Sequence, residues 1–116
     1  MRVLDEPGTY ERLEQSSERL AAGLSSAAAK SGVPLTVNRC GSMLCPYLSS
    51  EPVTCFDDVM RSDREGWTRF FHAMLEGGVL LAPSPFEAWF LSTAHDDDVV
   101  DAIAAAAEAA FAAVKA

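Results

Sequence analysis

Three stretches of this sequence return an apolar side chain every three to four residues, and glycine, proline or aspartate bounds each of them. That spacing gathers the apolar groups on one face of a helix, and such a face must be buried against something. From about Thr9 to Ser31 the stripe is Tyr10, Leu13, Ser17, Leu20, Leu24, Ala27 and Ala28, with Arg, Glu and Gln on the opposite side. Thr9 is expected to cap this helix and Gly32 to end it. A second helix is expected from Ser62, where Ser62-Asp63-Arg64-Glu65 has the reciprocal hydrogen-bonding pattern of a capping box. Its stripe is Trp67, Phe70, Phe71, Met74 and Leu75, and Gly77 and Gly78 stop it. The third begins where Asp96, Asp97 and Asp98 meet the positive end of a helix dipole, and it runs to about Val114. Val100, Ile103, Ala107, Phe111 and Val114 form its buried line. The alanine-rich part from Ala102 to Ala113 has high helix propensity and reads as an ordered, closely packed helix.

Between the helices the pattern changes to short extended pieces. Pro34 blocks continuation of the first helix, and Leu35-Thr36-Val37-Asn38 reads as a strand. Gly41 allows a turn into a second strand, Ser42 to Ser49, which pairs antiparallel with the first. Pro46 cannot donate to a ladder, so that strand is at an edge or bulged there. Ser49 to Asp57, with Pro52, is a loop, and Asp57 to Arg61 adds a helical turn. Val79-Leu80-Leu81 reads as a brief strand, Pro83-Ser84-Pro85 as a rigid turn, and Trp89 to Ser92 as a further extended piece. The expected fold class is α+β, one domain over residues 1–116 with a small antiparallel sheet covered on one face by helices. The other face of that sheet lacks cover within the chain, which calls for another domain or subunit.

A chain of 116 residues buries roughly two-thirds of the surface it exposes when unfolded, so it needs no metal or disulfide staple. The net charge of −8 argues against nucleic acid as a partner, because a phosphate-binding face needs clustered Lys and Arg. No run approaches a bilayer-spanning length, the opening Met-Arg-Val-Leu-Asp-Glu-Pro has no apolar signal core, and a cytoplasmic location without membrane contact is expected. Cys40, Cys45 and Cys55 match neither a disulfide framework nor zinc spacing, and they read as reduced thiols half-buried in strands.

The residues able to carry chemistry are few. His72 lies beside Phe71, between positions of the apolar stripe, and reads as a structural or surface histidine. His95 precedes the last helix and can orient a loop, but no Cys or Asp stands at nucleophile or metal spacing. The aspartate run is sufficiently explained as a helix cap. Glu87 differs, because Pro83-Ser84-Pro85-Phe86-Glu87-Ala88-Trp89-Phe90 sets one carboxylate in an apolar, proline-framed segment. Burying that charge costs several kcal/mol unless a cation or donors meet it, and a solvent-facing Glu on an edge strand is the alternative.

Six blocks carry a resemblance that periodicity does not supply: Glu6-Pro7-Gly8-Thr9-Tyr10-Glu11-Arg12-Leu13, Val37-Asn38-Arg39-x-Gly41-Ser42-Met43, Arg61-Ser62-Asp63, Phe70-Phe71-His72-Ala73-Met74-Leu75, Leu81-Ala82-Pro83-Ser84-x-Phe86-Glu87-Ala88 and Ser92-x-Ala94-His95. In this order the chain resembles the C-terminal domain of the glutamate-1-semialdehyde 2,1-aminomutase family, which is grouped with the class III aminotransferases among fold-type I pyridoxal 5'-phosphate (PLP) enzymes. The resemblance implies the small C-terminal domain of a longer homodimeric enzyme, whose cofactor-binding residues and Schiff-base lysine lie in a large PLP-binding domain upstream. It implies an isomerase that converts glutamate 1-semialdehyde to 5-aminolevulinate, a tetrapyrrole (porphyrin) precursor, by way of a diamine. Glu87 matches the family's glutamate at the active-site edge, where it attracts the diamine's ammonium and repels the second carboxylate of a keto acid.

No catalytic, cofactor-binding or metal-binding residue is expected within this fragment, which is expected to be inactive alone. Lys30 near a helix end and Lys115 at a terminus are poor Schiff-base candidates. Trp89 and Pro85 depart from the family pattern beside Glu87, and Cys40 and Cys45 depart from it in the strands. Arg2-Val3-Leu4-Asp5 reads as the end of an interrupted helix. The alternative is a standalone α+β interaction module that pairs through its uncovered sheet face; a small metal enzyme built on His72, His95 and the aspartates has little support. Thermal unfolding is therefore expected to be indifferent to chelator, and a large loss of midpoint on adding chelator would restore a metal role for the cysteines or aspartates.

Overall fold

The computed structural model describes residues 2–115. A single helical turn, α1 (Arg2–Asp5), precedes the long helix α2 (Thr9–Ser31), as the periodicity predicts for α2. Gly8, in the left-handed region at φ 82°, is the N-cap, so Thr9 does not cap the helix. Thr9 is the first helical residue and fully buried, and its hydroxyl donates to the Val3 carbonyl at 2.7 Å, tying α1 to α2. The buried line then runs through Leu13, Ser17, Leu20, Leu24, Ala27 and Ala28. Tyr10, one step around the helix from that line, is 64% exposed and leaves the expected stripe. Gly32 closes α2 at φ 69°, while the Val33 amide donates back to the Ala28 carbonyl at 2.9 Å.

Strands β1 (Thr36–Cys40) and β2 (Met43–Tyr47) form the expected antiparallel hairpin, and β3 (Trp89–Phe90) adds to the free side of β2 through Met43 and Leu44. Pro46 lies beyond the reach of β3, where β2 has one neighbour only, so its missing N–H disrupts no ladder. Side chains alternate across the sheet. Leu44, Leu48 and Trp89 enter the core, whereas Cys40, Met43 and Phe90 share one row of the opposite face, with Asn38 and Cys45, then Thr36 and Tyr47, behind them. Val79-Leu80-Leu81 forms no strand. Val79 and Leu81 pack their side chains against the core, the Val79 amide donates to the Met74 carbonyl at 2.8 Å, and Leu80 is 77% exposed.

The expected turn at 57–61 is the short helix α3 (Phe56–Met60), and the second main helix is α4 (Arg64–Glu76). Its cap is Asp63, whose carboxylate accepts the Gly66 amide at 2.8 Å; the Ser62 hydroxyl instead donates to the Val59 carbonyl at 2.6 Å. The Ser62–Glu65 capping box therefore does not form. A Cβ at Gly66 would crowd the Asp63 carboxylate, which would have to turn aside slightly. Trp67, Phe70 and Met74 are buried, Phe71 is partly buried, and Leu75 turns out to solvent at 47% exposure.

The last helix, α5 (Asp97–Lys115), packs on α2 and on α4. The side chain of Asp96 caps it by accepting the Val99 amide at 2.9 Å. Its buried line is Val100, Ala107, Ala110, Phe111 and Val114, with Ile103 at the margin. Phe111 stacks on Phe70 with ring centroids 4.6 Å apart, and Trp67 meets Trp89 at 6.1 Å, so one aromatic chain joins α5, α4 and the sheet. The expected α+β class holds: helices cover one face of a three-stranded antiparallel sheet.

Helices α2 and α5 touch at Gly23, where an added Cβ would sit 2.8 Å from the Cβ of Ala104. Gly23→Val should therefore cost about 2 kcal/mol by overpacking, and Asp63→Ala about 1 kcal/mol by loss of the cap. Denaturant midpoints check both; a neutral Gly23→Val would mean that the two helices do not meet closely there.

Candidate functional site

Glu87 belongs to a tight turn that leads into β3. Pro83 and Pro85 remove two amide donors from this turn, leaving those of Ser84, Phe86 and Glu87 to be satisfied locally. The Phe86 amide donates to the Ser84 hydroxyl at 3.0 Å, and the Glu87 amide to the Ser84 carbonyl at 3.3 Å. The Glu87 carboxylate in turn accepts the Ser84 amide at 3.2 Å. Ser84-Pro85-Phe86-Glu87 thus makes one of the two bonds of a capping box, carboxylate to Ser84 amide, while the Ser84 hydroxyl takes the Phe86 amide in place of that of Glu87, around a turn with no helix after it. Ser84 is the residue that sequence reasoning missed at this site, although its S-x-x-E spacing was a readable signal.

The carboxylate itself is exposed. Burial of Glu87 in an apolar segment does not occur within this chain, because the flanking aromatic rings turn elsewhere. Trp89 enters the core against Trp67, and Phe86 stacks on Phe56 at 5.3 Å. Trp89, a departure from the family pattern, thereby packs away from the turn, while Pro85 is part of it. One carboxylate oxygen holds the turn and the group as a whole faces outward, so it can meet a cation from outside without leaving its place.

Residues 92–95 form a second small turn. The Ser92 amide donates to His95 Nδ1 at 3.0 Å, the Ser92 hydroxyl lies 3.2 Å from the same nitrogen, and the Ala94 amide donates to that hydroxyl at 3.3 Å. An imidazole that accepts an amide proton on Nδ1 carries its own on Nε2, so His95 orients a loop as its position suggested. His72 is exposed and lies edge-on to Phe71 at 5.5 Å. Arg19 bonds Asp101 through two nitrogens at 2.8 Å each, and the negative charges of Asp97 and Asp98 add to the field around it. That pairing holds the Asp101 carboxyl below the usual carboxylate range and pushes the Arg19 guanidinium up. Among the described residues no three His, Cys, Asp or Glu side chains converge as a metal site.

The three cysteines are free thiols. Cys40 is exposed on β1 and Cys45 partly buried on β2, but Cys55 stands outside any strand, exposed at the start of α3, so the expectation of half-buried strand positions holds for Cys45 only. Cys45 lies against Tyr47, whose phenol is pushed up to about 12 by burial and by the bond to that thiol. Asp58 accepts from the amide and hydroxyl of Thr54, which lowers its carboxyl, with smaller help from Cys55 and Arg61.

Neither lysine fits a Schiff-base role. Lys30 is exposed and paired with Glu108 at 2.7 Å, and Lys115 is exposed at the end of α5. A Schiff-base lysine is held inside a pocket against its cofactor, and neither of these side chains is enclosed.

Comparison with solved structures defines the class. The fold matches the PLP-bearing FumI protein of a Sphingopyxis species with a TM-score of 0.77 and 29% identity, over 98% of this chain and 25% of that one. It also matches an omega-transaminase from Sphaerobacter thermophilus with a TM-score of 0.79 over 96% of this chain and 25% of the other, at 24% identity, which speaks to the fold alone. The architecture matches about a quarter of each of these proteins. In sequence the chain is similar to the glutamate-1-semialdehyde 2,1-aminomutase of Desulforudis audaxviator, at 48% identity over 111 residues, 96% of this chain. The resemblance carried by the six sequence blocks is thereby shown. The chain spans about a quarter, 26%, of the length of that curated relative. No family model matches it. No helix among the described residues is long and apolar enough to cross a membrane.

Incubation with PLP followed by borohydride reduction and mass spectrometry should leave both lysines of this chain without a stoichiometric adduct; selective labelling of Lys30 or Lys115 would contradict the exposed geometry.

Proposed function

We propose that this chain is the small C-terminal domain of a PLP-dependent glutamate-1-semialdehyde 2,1-aminomutase, the enzyme that makes 5-aminolevulinate for tetrapyrroles. The observation that carries the reading is the 48% identity over nearly the whole chain to such an enzyme, on a fold shared with PLP transaminases. In this reading the complete enzyme is a cytoplasmic homodimer, PLP and its lysine are held by the larger domain, and this domain alone is inactive. PLP supplies the amine exchange when bound there. What this chain supplies is a wall for the substrate.

Glu87 is the residue of this chain that we assign to substrate binding. Its carboxylate is fixed by the Ser84 amide and otherwise open to the outside, so it can attract the ammonium groups of a diamine and repel a second carboxylate. The discrimination suits an aminomutase, which must retain its diamine and refuse the keto acids that ordinary aminotransferases accept. Exposure in the lone domain limits the strength of that attraction. It grows only where a facing domain displaces water from around the ion pair.

The test uses a chimera in which this chain replaces the last quarter of the Desulforudis enzyme. Glu87→Gln keeps the shape and removes the charge, and it should raise the share of turnovers that release free diamine by roughly severalfold to tenfold, as for loss of a partly screened ion pair. Release of diamine is measured by chromatography after single turnovers. Unchanged partitioning would show that Glu87 is a bystander and would remove this residue from the reading.

A further inference from the structure

The turn that carries Glu87 is held only weakly by its own bonds. The Glu87 carboxylate accepts the Ser84 amide at 3.2 Å, and the Glu87 amide donates to the Ser84 carbonyl at 3.3 Å. Both distances lie at the long end of the hydrogen-bond range, and Glu87 is exposed, so water competes for its partners. Residues 83–88 belong to no strand, and Trp89, buried in the core, anchors the chain only after Glu87 has passed. A turn held in this way can still rock about that anchor, and the carboxylate swings with it.

A side chain from elsewhere meets the turn. Phe86, immediately before Glu87, stacks on Phe56 of α3 with ring centroids 5.3 Å apart and planes inclined by 28°. The Phe86 amide is bonded to the Ser84 hydroxyl at 3.0 Å, so a shift of its ring moves the turn as a unit. Phe56 is 66% exposed and Phe86 44%, so neither ring belongs to the core and truncating Phe56 opens no cavity. The segment beneath Phe56 is, by contrast, firmly seated. The Asn38 side-chain amide donates to the Val53 carbonyl at 2.7 Å and the Asp63 amide to the Leu48 carbonyl at 2.9 Å, which ties the segment to the hairpin on both sides of α3. Val53 and Val59, flanking Phe56, are buried. Between them the Asp58 carboxylate accepts the amide and the hydroxyl of Thr54 at 2.9 and 3.0 Å, closing the start of α3 on itself. An exposed aromatic ring on a seated base is a fixed surface for a loose turn, because stacking sets both separation and tilt.

We propose that Phe56 is a positioning residue for Glu87: through the Phe86 ring it fixes the direction of the carboxylate, and with it the retention of the diamine. The inference rests on the functional reading above and adds to it a residue, far from Glu87 in sequence, on which the aim of that carboxylate depends. A motion that parts the two rings turns Glu87 away. A carboxylate already aimed meets an ammonium group with less ordering left to do.

A double-mutant cycle in the chimera with the Desulforudis enzyme tests this. Phe56→Ala alone should raise the share of single turnovers that release free diamine by about two- to threefold, less than Glu87→Gln does. Phe56→Tyr, which keeps the stack, should leave that share unchanged. In the Glu87→Gln background Phe56→Ala should add nothing, because no charge remains to be aimed. An unchanged share in Phe56→Ala, an equal rise in Phe56→Tyr, or an effect that persists undiminished beside Glu87→Gln would each overturn the proposal and leave the role of Glu87 standing. An unchanged share in Glu87→Gln itself would instead remove Glu87 from the functional reading, and the proposal with it. The 116-residue chain gives a readout that needs neither cofactor nor turnover. Amide relaxation measured by NMR should show lower order at Ser84, Phe86 and Glu87 in Phe56→Ala than in the unsubstituted chain, with α4 and the thermal midpoint unchanged. Order that stays the same at those three residues would overturn the proposal. A large fall in midpoint would make Phe56 part of the core and overturn it as well.

Discussion

The close contact of α2 with α5 is the constraint on which the remaining structure rests. Gly23 and Ala104 leave no room for a further methyl group between the helices, and this near approach is what the small residues of α5 permit. Two exposed ion pairs, Arg19 with Asp101 and Lys30 with Glu108, flank the contact. They fix register more than they add stability, since water screens both. Once α5 is seated, Phe111 presents a flat surface to Phe70, and α4 follows; Trp67 on α4 then receives Trp89, and β3 follows. Each layer is positioned by the one before it.

This order of support explains why an irregular segment can serve as a defined site. Residues 83–88 have no ladder, yet they are clamped at one end by Trp89 in the core and internally by the Ser84 and Glu87 bonds. A carboxylate on a free loop samples many orientations and attracts a ligand cation weakly. Here one backbone amide and two proline rings restrict that freedom beforehand, so the proposed binding of a cation at Glu87 would require less ordering.

Periodicity made the helices legible: α2 runs over the residues expected, and α4 and α5 fall within two residues of their expected starts. Side chains one step off the buried line were the weak point. Tyr10 and Leu75 are apolar in type, yet each lies about 100° around the helix from a neighbour, Thr9 or Met74, that takes the buried place. Capping chemistry was ambiguous for a different reason. Ser62 and Asp63 both have a side-chain oxygen able to cap the first turn; the Ser62 hydroxyl is taken by the Val59 carbonyl, and Asp63 receives the Gly66 amide. At the site, type and place of Glu87 were readable but its exposure was not, because what surrounds it depends on where Phe86 and Trp89 turn. Composition cannot report that.

The central claim is that this fold completes a PLP aminomutase by closing one side of its substrate cleft. Its most direct measurement is the rate of 5-aminolevulinate formation by the first three-quarters of the Desulforudis enzyme, with and without this chain joined at the end. The account predicts negligible turnover for the shortened enzyme and restored aminomutase turnover for the joined one. A joined enzyme that binds PLP and transfers amino groups to keto acids, with no gain in aminolevulinate formation, would contradict it.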